Sequence, residues 1–282
     1  MTLGLDVCAR VFRRALLLIA IGMTGFLTAC AGDDDDKALA YVEKPVEELY
    51  NAAVDKMESE DWVEAAKRFD EVERQHPYSS WARRAMLMSA FCYYQANKYD
   101  QSILAAERFI SLHPGNKDVA YAYYLKAISL YEQIVDVGRD QRNTEKALSA
   151  LNEVTRRFPN TDYGRDAKLK MDLARDHLAG KEMAIGRYYL TRQNYIAAIN
   201  RFRTVIEKYQ TTTHTPEALH RLTECYLAMG LKKEAQASAA VLGYNFPGSD
   251  WYQDSYTLLA GQNLAPEKDD DSWISKALSG VL

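Results

Sequence analysis

The chain has 282 residues, a formal net charge of −4, and 14 Gly and 7 Pro. Without valine-rich alternating runs, little in it argues for sheet. Without a basic tract beyond its first fourteen residues, it offers no surface for nucleic acid as a main partner.

Arg10, Arg13 and Arg14 precede an apolar run from Ala15 to Leu27, and the sequence then reads LTAC from Leu27 to Cys30. A basic flank followed by a short apolar run predicts a secretion signal over residues 1–29, with an uncleaved signal anchor as the alternative. LTAC resembles the lipobox of bacterial lipoproteins. That resemblance implies that Cys30 carries a covalent diacylglycerol and an acyl chain and becomes the first residue of the mature protein; no other cofactor is expected. Loss of the leader removes three Arg and one Asp, so the body gains nothing from an anionic bilayer surface. The anchor would be the acyl chains, each buried methylene contributing about 0.8 kcal/mol. Ala31 stands where an Asp, in enterobacterial lipoproteins, favours the inner membrane, so the resemblance implies the cell outer membrane, on its periplasmic face. GDDDDK at Gly32–Lys37 has no packing face and reads as part of a tether over 30–44.

Helical patterning starts near Pro45, which suits a first helical turn. From there one pattern occurs five times, in blocks beginning at Trp62, Tyr99, Thr144, Tyr195 and Lys232. One column of the aligned blocks is small throughout: Ala65, Ser102, Ala147, Ala198 and Ala235. Four and then three residues on come Phe69, Ala106, Leu151, Phe202 and Ala239, and Val72, Phe109, Val154, Val205 and Leu242. These offsets form one helical stripe. A second small residue lies twelve positions earlier, at Ala53, Ala90, Gly186 and Thr223, and at Ala127 once an insertion at Val135–Arg142 is allowed for. It lets two antiparallel helices approach closely. Phe, His or Tyr ends all five blocks, followed in four of them by Pro, which cannot continue a helix; His76 and His113 fill that column and are therefore structural. The arrangement resembles the tetratricopeptide repeat. It implies an all-α superhelical solenoid of about five helix-turn-helix units over 45–260, each burying its apolar face on its neighbours; an irregular helical bundle is the alternative.

In tetratricopeptide repeats the first helix of each unit lines the concave face. The corresponding columns read Tyr50, Val54 and Met57, then Leu87, Phe91 and Tyr94, then Tyr124, Ile128 and Tyr131 with Tyr121 beside them. Units four and five give Met183, Arg187, Leu190, His220, Glu224 and Leu227. The N-terminal half is apolar and aromatic, suited to an extended peptide, because Tyr combines large contact area, few rotamers and a polar tip. Tyr50, Leu87, Phe91, Tyr94, Tyr121, Tyr124 and Tyr131 are the candidate groove; burial between helices is the competing reading for any one of them. Cys92 and Cys225 lie three repeats apart, too far to bridge, and are expected as free buried thiols.

The insertion at 135–142 reads as a solvated loop. The fourth first helix, extended back to about Asp162, is expected to turn Leu169, Leu173 and Met183 to the body, with Gly180 as a weak point. SDWYQDSYTLLA forms a capping helix after the fifth unit. Residues 261–282 read as a flexible tail whose amphipathic piece, with Trp273, Ile274, Leu278 and Leu282, is either disordered or docked on a partner. The five His form no metal-binding pair, and no phosphate loop or nucleophile motif occurs, so the chain reads as a non-enzyme without a metal.

The lipobox, the repeats, the long fourth helix and the run RYYLTRQNYIAAINRFRTVIEKYQTT together resemble the BamD (ComL) family of outer-membrane β-barrel assembly lipoproteins over nearly the whole mature chain. The resemblance implies a non-catalytic component of the BAM complex. Its N-terminal repeats would take the C-terminal signal strand of unfolded outer-membrane protein precursors, and its C-terminal repeats the POTRA region of BamA. Other Bam lipoproteins would join it. A pilotin-like lipoprotein escorting secretin subunits is the alternative.

Overall fold

The structure, a computed structural model, describes residues 43–278; the expected leader, Cys30 and most of the tether lie outside the described residues. From Pro45 onward the chain forms one compact unit. Five helix pairs follow one another: α1 (Val46–Glu58) with α2 (Trp62–Gln75), α3 (Ser80–Gln95) with α4 (Tyr99–Leu112), α5 (Val119–Tyr131) with α6 (Arg142–Arg157), α7 (Asp162–Thr191) with α8 (Tyr195–Lys208), and α9 (Thr215–Ala228) with α10 (Lys232–Asn245). A capping helix α11 (Asp250–Ala260) and a short α12 (Trp273–Leu278) complete it. Consecutive helices pack on each other through α11, and α1, α3, α5 and α7 also pack each on the next. This is the tetratricopeptide-like solenoid.

The repeat is written into backbone geometry as well as side chains. The five second helices end at His76, His113, Phe158, Tyr209 and Phe246, all with φ between −131° and −134° and ψ between 37° and 58°. The turns inside units one, two, four and five each place one residue in the left-handed region: Glu60, Asn97, Gln193 and Gly230. The following amide then returns to a carbonyl five residues back, as from Asp61 to Lys56 at 3.0 Å and from Lys98 to Tyr93 at 2.9 Å, which satisfies the helix end. At the other ends, Ser79 and Thr161 cap α3 and α7 by accepting from the amides of Ala82 and Gly164.

Both small columns are buried throughout. A Cβ on Gly186 would stand 2.4 Å from the Phe202 ring, so α7 and α8 meet at a distance that no larger residue permits. At Ser102 the small column is also polar. Its hydroxyl donates to the Ala90 carbonyl at 2.9 Å and lies 3.0 Å from the Ser129 hydroxyl, tying α4 to α3 and α5. The core is a series of clusters, around Phe69, around Phe109 and Leu125, around Leu151 and Val154, and around Phe202, Leu219 and Leu242. A segmented core of this kind is what neighbour-only packing produces.

Three expectations needed revision. The loop between α5 and α6 is fastened rather than merely solvated. Buried Gln141 donates to the carbonyls of Asp136 and Arg139, and from α7 His177 holds Val135 O at 2.8 Å while Lys181 donates to Gly138 O. On α7 itself, Leu169 and Leu173 are exposed, at 66% and 60%, whereas Met183 is buried as expected. The body-facing stripe is Ala167, Met171, Ala174 and Leu178, whose small members bring α7 close; the helix runs unbroken through Gly180. Finally, the described part of the tail neither floats nor waits for a partner. α12 packs on α8 and α10 and buries Ile274 and Leu278 in the last cluster, while Trp273 donates to the Tyr226 hydroxyl at 3.3 Å under the guanidinium of Arg203. Six residues are too few for an isolated helix, but the surface left by α8 and α10 supplies the missing apolar partners. Leu282 lies outside the described residues.

Candidate functional site

The seven candidate groove residues all fall on first helices of units one to three: Tyr50 on α1, Leu87, Phe91 and Tyr94 on α3, Tyr121, Tyr124 and Tyr131 on α5. Tyr50 and Leu87 are the deepest, each 9% exposed, while the other five are half-buried. Tyr50 packs on Phe69 and Trp81 with ring centroids 5.3 and 4.8 Å apart, so it serves as a floor rather than an open contact. Phe91 meets Trp62 edge-on at 6.1 Å, and Tyr94 lies 6.0 Å from Tyr99. Tyr163, at the start of α7, holds Tyr121 and Tyr124 together at 5.3 Å from each. Tyr131 stands apart under the ammonium of Lys170, 5.4 Å away. The rings thus line two places, Tyr50, Leu87 and Tyr121 bordering one cavity and Tyr131 a smaller one, with Phe91, Tyr94 and Tyr124 between them.

The hydroxyls are placed as donors. Tyr124 donates to Asp166 Oδ2 at 2.5 Å and Tyr94 to Glu132 Oε1 at 3.5 Å. Burial first, and then in Tyr124 the bond to Asp166, pushes the phenols of Tyr121 and Tyr124 well above their ordinary value, so both stay neutral. Half-buried rings, two of them with hydroxyls pinned by carboxylates, form an apolar surface with polar points. Such a surface offers contact area and fixed polar points.

Units four and five present the opposite character. Arg187 on α7 makes two bonds to Glu217 on α9, at 3.0 and 2.9 Å, and Arg221 continues the network to Glu224 at 2.8 Å. His220 lies 3.6 Å from Glu224 through Nε2 and bonds Ser255 of the capping helix through Nδ1 at 2.8 Å, its ring 5.3 Å from Trp251. The same units also carry exposed apolar side chains, among them Tyr188, Ile196, Met229 and Leu231. Cys92 and Cys225 are free and fully buried, and burial pushes both thiols up to about 12.

Three groove residues escape a reading by columns: Trp81, Tyr163 and Arg84. Arg84 and Trp81 lie on the side of α3 that carries Leu87, about one and two turns before it, so a column extended toward the helix start would have included them. Tyr163 belongs to the extra length of α7, which has no counterpart in the other units.

A family model described as YfiO, outer membrane lipoprotein, matches residues 42–242. Outer membrane protein assembly factor BamD of Caulobacter vibrioides is 53% identical over 254 residues, covering 90% of this chain and 83% of that protein. The chain belongs to the BamD family. Within it, the BamD of Rickettsia prowazekii is 43% identical over 87% of this chain and 95% of its own, and that of Neisseria meningitidis serogroup A 34% identical over 84% and 92%. Among solved structures, a thermophilic tetratricopeptide protein of Thermus thermophilus aligns with a TM-score of 0.35 at 18% identity, covering 77% of this chain and all of its own. Among the described residues no helix of this BamD family member is long and apolar enough to cross a membrane.

Proposed function

We propose that this chain is a non-catalytic lipoprotein of the outer-membrane β-barrel assembly complex, anchored through acyl chains on Cys30 to the periplasmic face of the outer membrane. The observation that carries the reading is family membership across residues 42–242, with relatives named as outer membrane protein assembly factors along most of the chain. In this reading units one to three bind unfolded outer-membrane protein precursors along the row of Phe91, Tyr94 and Tyr124. Units four and five hold the POTRA region of BamA, and other Bam lipoproteins join the assembly. The contrast between half-buried rings in the first units and a networked set of charges in the last supports two separate partners on one stack.

The test replaces Phe91, Tyr94 and Tyr124 together by Ala. The rings are partly buried and pack on the core clusters, so matching melting curves accompany the variant; loss of three aromatic contacts is expected to raise the Kd for a precursor-derived peptide at least tenfold. BamA should still co-purify. Unchanged peptide affinity would remove the groove, and recovery of a secretin in place of BamA would make the chain a pilotin.

A further inference from the structure

A cavity of about 910 Å³ opens at one edge of the stack. Tyr50 of α1, Ser80 at the start of α3 and Lys117, just before α5, all line it, so it lies where the first helices begin. Its apolar side includes Trp81 and Leu87, and Arg83 and Arg84 join Lys117 as its cations. All three cations are exposed, and among the described residues none has a carboxylate partner within 4 Å, although ion pairs hold this half of the stack elsewhere, from Arg108 to Glu73 and from Lys126 to Glu107. One carboxylate, Asp118, shares the lining; Glu47 and Glu48, on the first turn of α1, do not belong to it. Arg84 lies close enough to the Tyr50 hydroxyl that its charge opposes the lift that burial gives that phenol, which stations the guanidinium beside the apolar side chains.

The chain that precedes the body joins it at this same edge, because α1 begins there. The fifteen residues 30–44 span at most about 50 Å when fully extended, so an anchor at Cys30 keeps the edge within that distance of a bilayer. Two large apolar side chains stand in solvent beside the cavity: Tyr78, in the turn before α3, is 98% exposed, and Leu112, the last residue of α4, is 56% exposed. Tyr suits the depth of lipid headgroups, with its ring toward the acyl chains and its hydroxyl in water. The chain's net charge of −4 offers no attraction to an anionic surface. Charges act only within a Debye length, however, about 8 Å at physiological ionic strength, so the three local cations decide what this edge meets. A phospholipid presents a phosphate directly above apolar methylenes, matching cations set directly above aromatic side chains.

We propose that this edge of the stack lies on the membrane and that the cavity receives the headgroup of an anionic phospholipid, its phosphate among Arg83, Arg84 and Lys117 and its first methylenes against Trp81 and Leu87. The proposal rests on the anchor at Cys30 and adds to it a second contact, made by protein, that fixes which edge of the stack faces the bilayer.

The experiment uses the mature chain carrying Cys30→Ser, which removes acylation so that only the body's own contact is read. Co-sedimentation is measured with vesicles of phosphatidylethanolamine containing one quarter phosphatidylglycerol, and with vesicles of phosphatidylcholine alone. Binding to the anionic vesicles is expected to be at least tenfold the stronger. A Lys or Arg beside an anionic surface contributes roughly a fivefold change in affinity. Arg84→Gln should therefore weaken vesicle binding about fivefold, and Arg83→Gln, Arg84→Gln and Lys117→Gln together about a hundredfold; the residues are exposed, and matching melting curves verify the fold. Lys233→Gln, the same change of charge on an exposed position of α10, should leave binding unaltered. Failure to bind the anionic vesicles, equal attachment to both kinds, or a loss in Lys233→Gln as large as in Arg84→Gln would overturn the proposal. Displacement by millimolar inorganic phosphate at constant ionic strength would also overturn it, making the cavity a site for a free anion. Acylation of Cys30 is read separately, from the mass of the protein purified from membranes, so loss of the anchor and loss of this contact are told apart.

Discussion

Glu224 stands under opposing influences that its neighbours resolve. Burial alone would lift its carboxyl, but hydrogen bonds and charge from His220 and Arg221 outweigh burial and hold it below the ordinary carboxylate value. A carboxyl depressed in the folded state contributes stability that is whole above its unfolded pKa, about 4.3, and is lost as the pH falls through the lower folded value. Comparing melting curves of the unaltered protein and Glu224→Gln from pH 7 to pH 3 checks this. The variant should be less stable by about 1 kcal/mol near neutrality, and the gap should close below pH 4; a gap that widened in acid would contradict the assignment. The small residues were readable because each column recurs five times and every copy constrains the others. Leu169 and Leu173 were misplaced because the added length of α7 occurs once, and two leucines four apart fix a stripe without fixing which way it faces. Trp81 and Arg84 were missed for a simpler reason: the groove columns were taken only from one turn before each small residue.

Helix ends are where the elements of this chain are most tightly specified. The first turn of α7 passes so near the end of α6 that a Cβ on Gly164 would lie 2.1 Å from the carbonyl oxygen of Phe158. That neighbour is backbone and cannot rotate away. Ala is the better helix former by about 1 kcal/mol, so propensity alone predicts that Gly164→Ala stabilises. Overpacking against a fixed carbonyl predicts the reverse, a net loss of about 1–3 kcal/mol. The denaturation midpoint in urea decides between them, and a rise would show that the two helices can separate without penalty. The paired helices, the aromatic-Pro ends and the capping helix were all legible as sequence. The seat of α12 was not, because its six residues show which face is apolar but not that α8 and α10 leave a matching surface; Trp273 finds Tyr226 across 47 positions of chain.

On the scale of the whole molecule, unit spacings of 37 and 37 residues at the two ends, against 45 and 51 in the middle, already located the departures from regularity. The structure places a fastened loop at one and the long α7 at the other. The loop belongs to the last ring-lined unit and α7 to the first charged one, so both departures fall where the surface changes chemistry. Apolar rings in the first units suit a chain that has not yet buried its own apolar side chains, and a networked charged face suits a folded partner. The aromatic asymmetry could be read from columns of sequence; the pairing of Arg187, Glu217, Arg221 and Glu224 across α7 and α9 could not, since it depends on how adjacent units stack. The central claim is that precursors contact the first three units from the side bearing Tyr124. The most direct measurement is photocrosslinking in growing cells from a probe at Tyr124, with a second probe at Tyr244, which is 84% exposed on α10. Adducts with newly made barrel precursors should form at 124 and be absent at 244. Adducts of equal yield at both positions, or none at 124, would contradict it.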